Sequence, residues 1–474
     1  MKIFKIEKKS HTDLILCFVS ICLVLLAPST YSYEYCFLLH NLFVLTFAYN
    51  VYKHRKEGLI SFNLLFSVSY YCTSFIYPVF IYNTEERYFS MFSFSFNENK
   101  ITYCTAVAYS AYCFLQLGLN NAAIKGMNNR FTNNSNISNL NNINQKLNVL
   151  SFLFMLLLIY FYVNGGTSYF SDQFIYSMSS HDVFMGYIVQ FITPIAYAML
   201  IISFWVPNKR SFSFVFATSL VLAYVVLILS TGSRTIPLSM IIIALFMYND
   251  NIKKLNMIKI AVLGLSFVAI MVLAGSLRGG GEVITLSKIA EGGSDALENR
   301  SENIYSFANE LIICNRNLYY LIETTETIGY THGATLLGPF LGMIPFMQGI
   351  FTRVTGVPVY ILNSATYNTF LSLGPYGEKG LGTHAVADIY ICFGLIGLVL
   401  IFYLYGYYIT KFKNSRYNIY QHIVYYILIS NAIYACRASI LNLRSIIWTL
   451  VVVYLVLHVF SDKRDVNNFN TQNL

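Results

Sequence analysis

Apolar runs of about twenty residues, each near the length an α-helix needs to cross a bilayer, recur through most of this chain. They fall at 12–29, 34–52, 59–82, 101–120, 148–164, 184–206, 212–231, 235–249, 257–276, 386–409, 418–436 and 444–460. A soluble domain cannot cover so many apolar faces. Lipid accepts them, and it obliges the backbone to satisfy its own hydrogen bonds, which helices do. Only 11% of the residues are charged and the mean hydropathy is +0.54, against roughly 25% charged in soluble domains. The sequence therefore predicts an all-α, polytopic integral membrane protein of about twelve transmembrane helices. The 235–249 run is short, so 212–249 reads either as two spans or as one span with a re-entrant piece.

Lysine and arginine set the orientation. With the N-terminus inside, the inner segments are 1–11, 53–58, 121–147, 207–211, 250–259, 411–417 and 461–474, and they hold twenty of the 31 basic residues. Both termini are thus expected in the cytoplasm. Lys2, Lys5, Lys8 and Lys9 precede the first run without a convincing cleavage site, which reads as an anchor rather than a removed signal. The net charge of +9 is dispersed among these short loops, so nucleic acid is not an expected partner. The nine cysteines show no metal-ligand spacing. The Asn-rich stretch 128–144 reads as a flexible inner linker.

This pattern divides the chain into N-terminal transmembrane helices, 1–276, a large outer loop, 277–385, and C-terminal transmembrane helices, 386–474. A loop of that length usually has structure and carries function. Residues 295–323 read as an amphipathic helix, opened by Asp295 and Glu298, with Ile304, Phe307, Leu311, Leu318 and Ile322 at helical spacing. On that helix Arg300 and Arg316 read as solvated. The following segment, 333–351, is apolar but broken by Gly and Pro, a pattern expected of a piece lying on or dipping into the outer leaflet.

Residues able to do chemistry gather near the outer boundaries. Arg234 closes Ser230-Thr-Gly-Ser-Arg234 between two runs, and Arg278 opens Leu277-Arg-Gly-Gly-Gly281 where another run ends. Each reads either as an interface arginine whose stem snorkels or as a phosphate clamp assisted by nearby backbone N–H groups. Arg353 follows the broken apolar segment. His384 and Asp388 are four residues apart at the entry to a span, a spacing that on a helix puts them on one face, with Asp388 placed to orient the ring of His384 as a base. The bland alternative is a polar helix end. Glu378 and Lys379 in the preceding Gly-rich loop, and His332, are second-line candidates. No metal site and no cofactor motif is read, and HExxH, GxSxG and the nucleotide P-loop are absent.

Four features give the chain its resemblance to a known family: the STGSR turn, the single large outer loop late in the chain, Gly329-Tyr-Thr-His332, and Gly380-Leu-Gly-Thr-His-Ala-Val-Ala-Asp-Ile-Tyr-Ile-Cys-Phe-Gly394-Leu-Ile-Gly397. Together they resemble the Wzy-type O-antigen polymerases, with a layout that covers most of the chain. Relatives often carry Glu before the Tyr of the last motif, where this chain has Asp388. The resemblance implies a GT-C-like membrane fold in the bacterial inner membrane with a periplasmic outer loop. It also implies a metal-independent glycosyltransferase, without cofactor, that polymerises undecaprenyl-pyrophosphate-linked oligosaccharide repeat units and releases undecaprenyl pyrophosphate. Arg234, Arg278 and Arg353 would hold the pyrophosphate, His384 and Asp388 would activate the acceptor hydroxyl, and membrane lipid and a chain-length regulator (copolymerase) would be partners. A flippase of the same lipid-linked unit and an O-antigen ligase are the competing expectations; the clustering of charges at outer boundaries and the long outer loop speak against the flippase.

Overall fold

The computed structural model describes residues 2–54, 61–84, 96–126, 143–164, 180–230, 233–253, 255, 256, 259, 309–375, 380–415 and 419–459. In chain order its main helices are α1 (Lys2–Leu25), α2 (Tyr33–His54), α3 (Phe62–Ser74), α4 (Ile101–Gly126), α5 (Ile143–Val163), α6 (Ser180–Trp205), α7 (Phe212–Ser230), α8 (Thr235–Asn251), α9 (Cys314–Thr327), α10 (Leu337–Leu341), α11 (Met347–Thr355), α12 (Ser364–Leu373), α13 (Ala385–Lys413), α14 (Ile419–Ser430) and α15 (Leu443–Tyr454). Each apolar run read from the sequence that falls on described residues is helical over most of its described length. The 257–276 run lies outside them apart from Lys259.

Among the described residues five helices are long and apolar enough to cross a membrane: Phe62–Ile81, Ile143–Val163, Gly186–Trp205, Phe212–Leu229 and Ala385–Lys413. Shorter apolar helices lie at His11–Leu25, Ile419–Ser430 and Leu443–His458. The chain is a multi-pass, helical membrane protein.

By compactness the chain divides into two units, 1–131 with 303–442 and 132–302 with 443–474. In the first, α4 is the hub and packs on α13, α1 and α2. The close approach of α4 to α13 depends on missing side chains. A Cβ on Gly118 would overlap the carbonyl of Tyr403, and one on Gly406 would overlap the carbonyl of Leu115, so the two backbones meet as small residues allow helices to do in lipid. The hub is rich in polar side chains that pair with neighbouring helices. Ser20 meets Ser110, Thr46 meets Tyr109, Asn120 donates to Asn50 at 3.1 Å, and Gln116 donates to Asn63 at 2.7 Å. The Lys53–Asp13 ion pair, 2.8 Å long, joins α2 to α1. In the second unit α6 packs against α5, α7, α8 and α15, with Thr193 and Tyr224 sharing a hydrogen bond of 2.9 Å between α6 and α7.

The structure differs from the sequence reading in two ways, one in the outer segment and one in the span that follows it. The long amphipathic helix expected over 295–323 is, where described, a single turn at Asn309–Ile312 followed by α9; residues 295–308 lie outside the described residues. Second, α13 is broken at Gly394, whose φ of 64° and ψ of −161° interrupt the helix. A backbone carbonyl released inside a span needs a new donor. Thr331 supplies one, its N–H donating to the carbonyl of Ile391 at 2.8 Å.

Candidate functional site

α13 enters its span through a polar head. His384 is the N-cap, with an extended backbone (φ −128°, ψ 138°), and its Nδ1 accepts the N–H of Val386 at 3.1 Å. With Nδ1 accepting, the ring proton sits on Nε2, which donates to the hydroxyl of Ser74 at 3.1 Å. Burial without a charged partner pushes the imidazole down to about 3. Asp388 follows in the first turn of α13, wholly buried. Neither of its carboxylate oxygens makes a hydrogen bond of good geometry, although the hydroxyls of Ser364 and Ser439 and the backbone N–H of Ile440 lie around it.

The sequence expectation that Asp388 orients His384 is therefore corrected. The four-residue spacing rule holds only when both residues are helical, and His384 stands outside the helix as its cap. Both ring nitrogens are engaged, by Val386 and by Ser74, and no hydrogen bond joins the carboxylate to the ring.

Around this head lies a buried polar layer built by α9, α12 and the 380–384 strand of loop. Asn317 donates to the carbonyl of Leu381 at 2.8 Å, Asn368 donates to the carbonyl of Gly382 at 2.9 Å, and the N–H of Leu381 donates to Thr369 at 3.0 Å. Thr383 donates its N–H to the carbonyl of Arg437 at 3.2 Å. Gly382 has a φ of +71°, a conformation that L side chains rarely adopt. These bonds fix the loop that delivers His384 to α13. Asn363 caps α12 by accepting the N–H of Ala365 at 2.8 Å, which orients Ser364 and Asn368 on that helix.

Arg316 belongs to this layer, and the expectation that it is solvated is corrected. Its side chain is 1% exposed, the largest of the fully buried side chains. Its two terminal nitrogens each donate to Ser372 Oγ at 3.1 Å, and the guanidinium stacks 4.8 Å above the Tyr320 ring. Burial lowers its pKa to about 10, which leaves it cationic at neutral pH. Polarity does not mean exposure here: α9 buries Asn315, Arg316 and Asn317 because it faces another polar surface rather than water. A run of consecutive polar residues ahead of Leu318 and Tyr319 was the available signal.

Buried polar atoms are normally paired. Here the carboxylate of Asp388, Oγ of Ser364 and Oγ1 of Thr383 are buried without a full hydrogen bond, so the head of α13 keeps acceptor and donor capacity unspent. Such a carboxylate can accept a proton from a hydroxyl.

The remaining sequence candidates are placed as follows. Arg234 is the N-cap of α8 and half-buried, in the second unit. Arg353 is exposed on α11. His332 is exposed with a left-handed backbone, φ 49°. Arg278, Arg300, Glu378 and Lys379 lie outside the described residues. Among the described residues no three His, Cys, Asp or Glu side chains converge on one point.

A protein-family model described as O-antigen polysaccharide polymerase Wzy matches residues 12–464. No curated protein and no solved structure matches the chain.

Proposed function

The chain belongs to the O-antigen polysaccharide polymerase Wzy family, and from that premise we propose how it acts on the lipid-linked O-antigen repeat units that such polymerases join. The substrates are undecaprenyl-pyrophosphate-linked oligosaccharides at the periplasmic face of the bacterial inner membrane. The protein has about twelve GT-C-like spans and cytoplasmic termini. A sugar hydroxyl on one lipid-linked unit attacks the anomeric carbon of the growing chain on another. The new C–O bond forms as the bond from that carbon to the pyrophosphate oxygen breaks. The electron pair leaves with undecaprenyl pyrophosphate, and the hydroxyl proton passes to Asp388. The polymer grows at its reducing end.

The observation that carries this reading is the buried carboxylate of Asp388, which has no hydrogen bond of good geometry. A carboxylate with unspent acceptor capacity is suited to take a hydroxyl proton as it develops. His384 serves as a positioning residue, holding the head of α13 through Val386 and Ser74. The departing pyrophosphate needs fixed positive charge, and guanidinium forks supply it without a metal. Arg316 is the arginine of the polar layer that supplies it. Chain length is set with a copolymerase.

The test is Asp388→Asn in a deletion strain, read on a lipopolysaccharide gel with membrane levels of the protein checked. The expected result is collapse of the ladder to core plus one repeat unit, because units are still flipped and ligated. A wild-type ladder overturns the role of Asp388. Bare core from the deletion strain itself overturns polymerisation as the function.

A further inference from the structure

We propose that α10 and α11 form a membrane-surface hairpin whose exposed apolar face is covered by the phospholipid bilayer. The inference does not depend on the polymerase reading.

Depth comes first. The segment that leads into α10 is bonded to α13 inside the span. Thr331 donates its N–H to the carbonyl of Ile391, and Thr335 meets the thiol of Cys392 at 2.9 Å. Ile391 lies six residues past Ala385, the start of that span, or about 9 Å at helical rise. The hairpin therefore sets out from below the head of a span, a level at which exposed side chains face acyl chains rather than water.

Pattern comes second. In α11 no residue is buried. Phe346, Ile350 and Val354 are 62%, 54% and 80% exposed; the four-residue spacing puts Ile350 and Val354 on one face of α11, and Phe346 stands ahead of it as the N-cap. Phe340 and Ile344, on the approach from α10, are exposed as well, at 47% and 56%. Such a surface, left in water, would be an aggregation liability. α11 has nine residues, about 14 Å at helical rise, too short to cross a bilayer, and Phe346 and Gly356 at its two ends take left-handed conformations at φ 64° and 71°. A positive φ on a bulky residue is strained, and it turns the chain sharply between α10 and α11.

Charge comes third. Between residues 327 and 377 Arg353 is the only Lys, Arg, Asp or Glu. It is exposed and, three residues after Ile350, borders the apolar face of α11. A lone arginine bordering an apolar face fits an interfacial helix, whose guanidinium reaches an anionic phosphate while its stem stays in the apolar layer. The hairpin is fastened to the rest of its unit. Gln348 donates to the carbonyl of Gly338 at 3.0 Å, and Gly338 lies so close to Leu362 that a Cβ would meet its carbonyl at 2.5 Å.

The experiment uses the full chain with its two tryptophans removed, Trp205→Phe and Trp448→Phe, and a reporter at Phe346→Trp. A second protein carries Val354→Trp, within α11, in case the strained position does not tolerate the change. Each is reconstituted in phosphatidylethanolamine–phosphatidylglycerol vesicles, with and without brominated acyl chains. The expected result is a blue-shifted emission that loses most of its intensity in brominated vesicles and resists aqueous iodide. Emission quenched by iodide and unaffected by bromine overturns the proposal. Quenching by bromine only after a polyprenyl pyrophosphate is added also overturns it, since the face would then serve the lipid-linked substrate.

Discussion

Two stretches of the same outer segment invert the usual rule. Around α9, α12 and the head of α13, polar and charged side chains are inside: Asn315, Arg316, Asn317, Asn368 and Asp388 are each at most 1% exposed. On α10 and α11, apolar side chains are outside, from Phe340 at 47% to Val354 at 80%. In water this would be an unstable arrangement. At a membrane boundary both halves make sense, because apolar surroundings suit the exposed apolar face and the buried polar side chains pair with one another. Hydropathy alone therefore does not tell inside from outside in this part of the chain.

Substitutions that exchange the two environments sharpen the contrast. The largest effect is expected at Arg316→Gln. Losing charged hydrogen bonds to Ser372 in a buried layer costs about 3 kcal/mol, read as a lowered midpoint in thermal unfolding of the detergent-solubilised protein, with loss of polymer. Asn368→Ala, which leaves the carbonyl of Gly382 without its donor, is expected to cost about 2 kcal/mol by the same measurement. His384→Ala removes a cap and costs about 1 kcal/mol. His384→Asn keeps an N-cap acceptor, so it should recover most of the stability and of the polymer ladder. Equal loss of polymer in both His384 variants would mean that the ring takes part in the chemistry. Val354→Ser is expected to change detergent stability by no more than about 0.5 kcal/mol, since it alters a surface that only lipid covers.

The His384 ring also predicts a pH dependence. Its folded pKa, about 3, lies below the ordinary 6.5, so the unfolded chain binds the proton first as pH falls. The contribution is complete above pH 6.5 and is lost progressively from there down towards pH 3. His384→Asn should flatten that part of the stability profile, and an unchanged profile would contradict the buried neutral ring.

The helices were legible in the sequence because a span must be apolar over its whole length, and that signal survives averaging. The broken character of 333–351 was legible too, since its Gly and Pro residues rule out a straight span. Asp388 stood out as an acid just inside a span. Its supposed pairing with His384 was not readable, because whether His384 lies inside or before the helix is decided by one residue of backbone geometry. The burial of Arg316 is not readable from sequence, because helical periodicity reports which face of α9 is buried only when the opposing surface is apolar, and here it is polar. The hydroxyls that lie around Asp388, those of Ser364 and Ser439, come from segments far apart in sequence that only the fold brings together.

The most direct test of the central claim is polymerisation by purified protein in vesicles supplied with an undecaprenyl-pyrophosphate-linked repeat unit. Wild type and Asp388→Asn would be compared for the rate of glycosidic bond formation and for binding of the lipid-linked unit. The account predicts that the variant binds the unit as wild type does and forms the bond at least about a hundredfold more slowly. Bond formation at the wild-type rate by Asp388→Asn would contradict it.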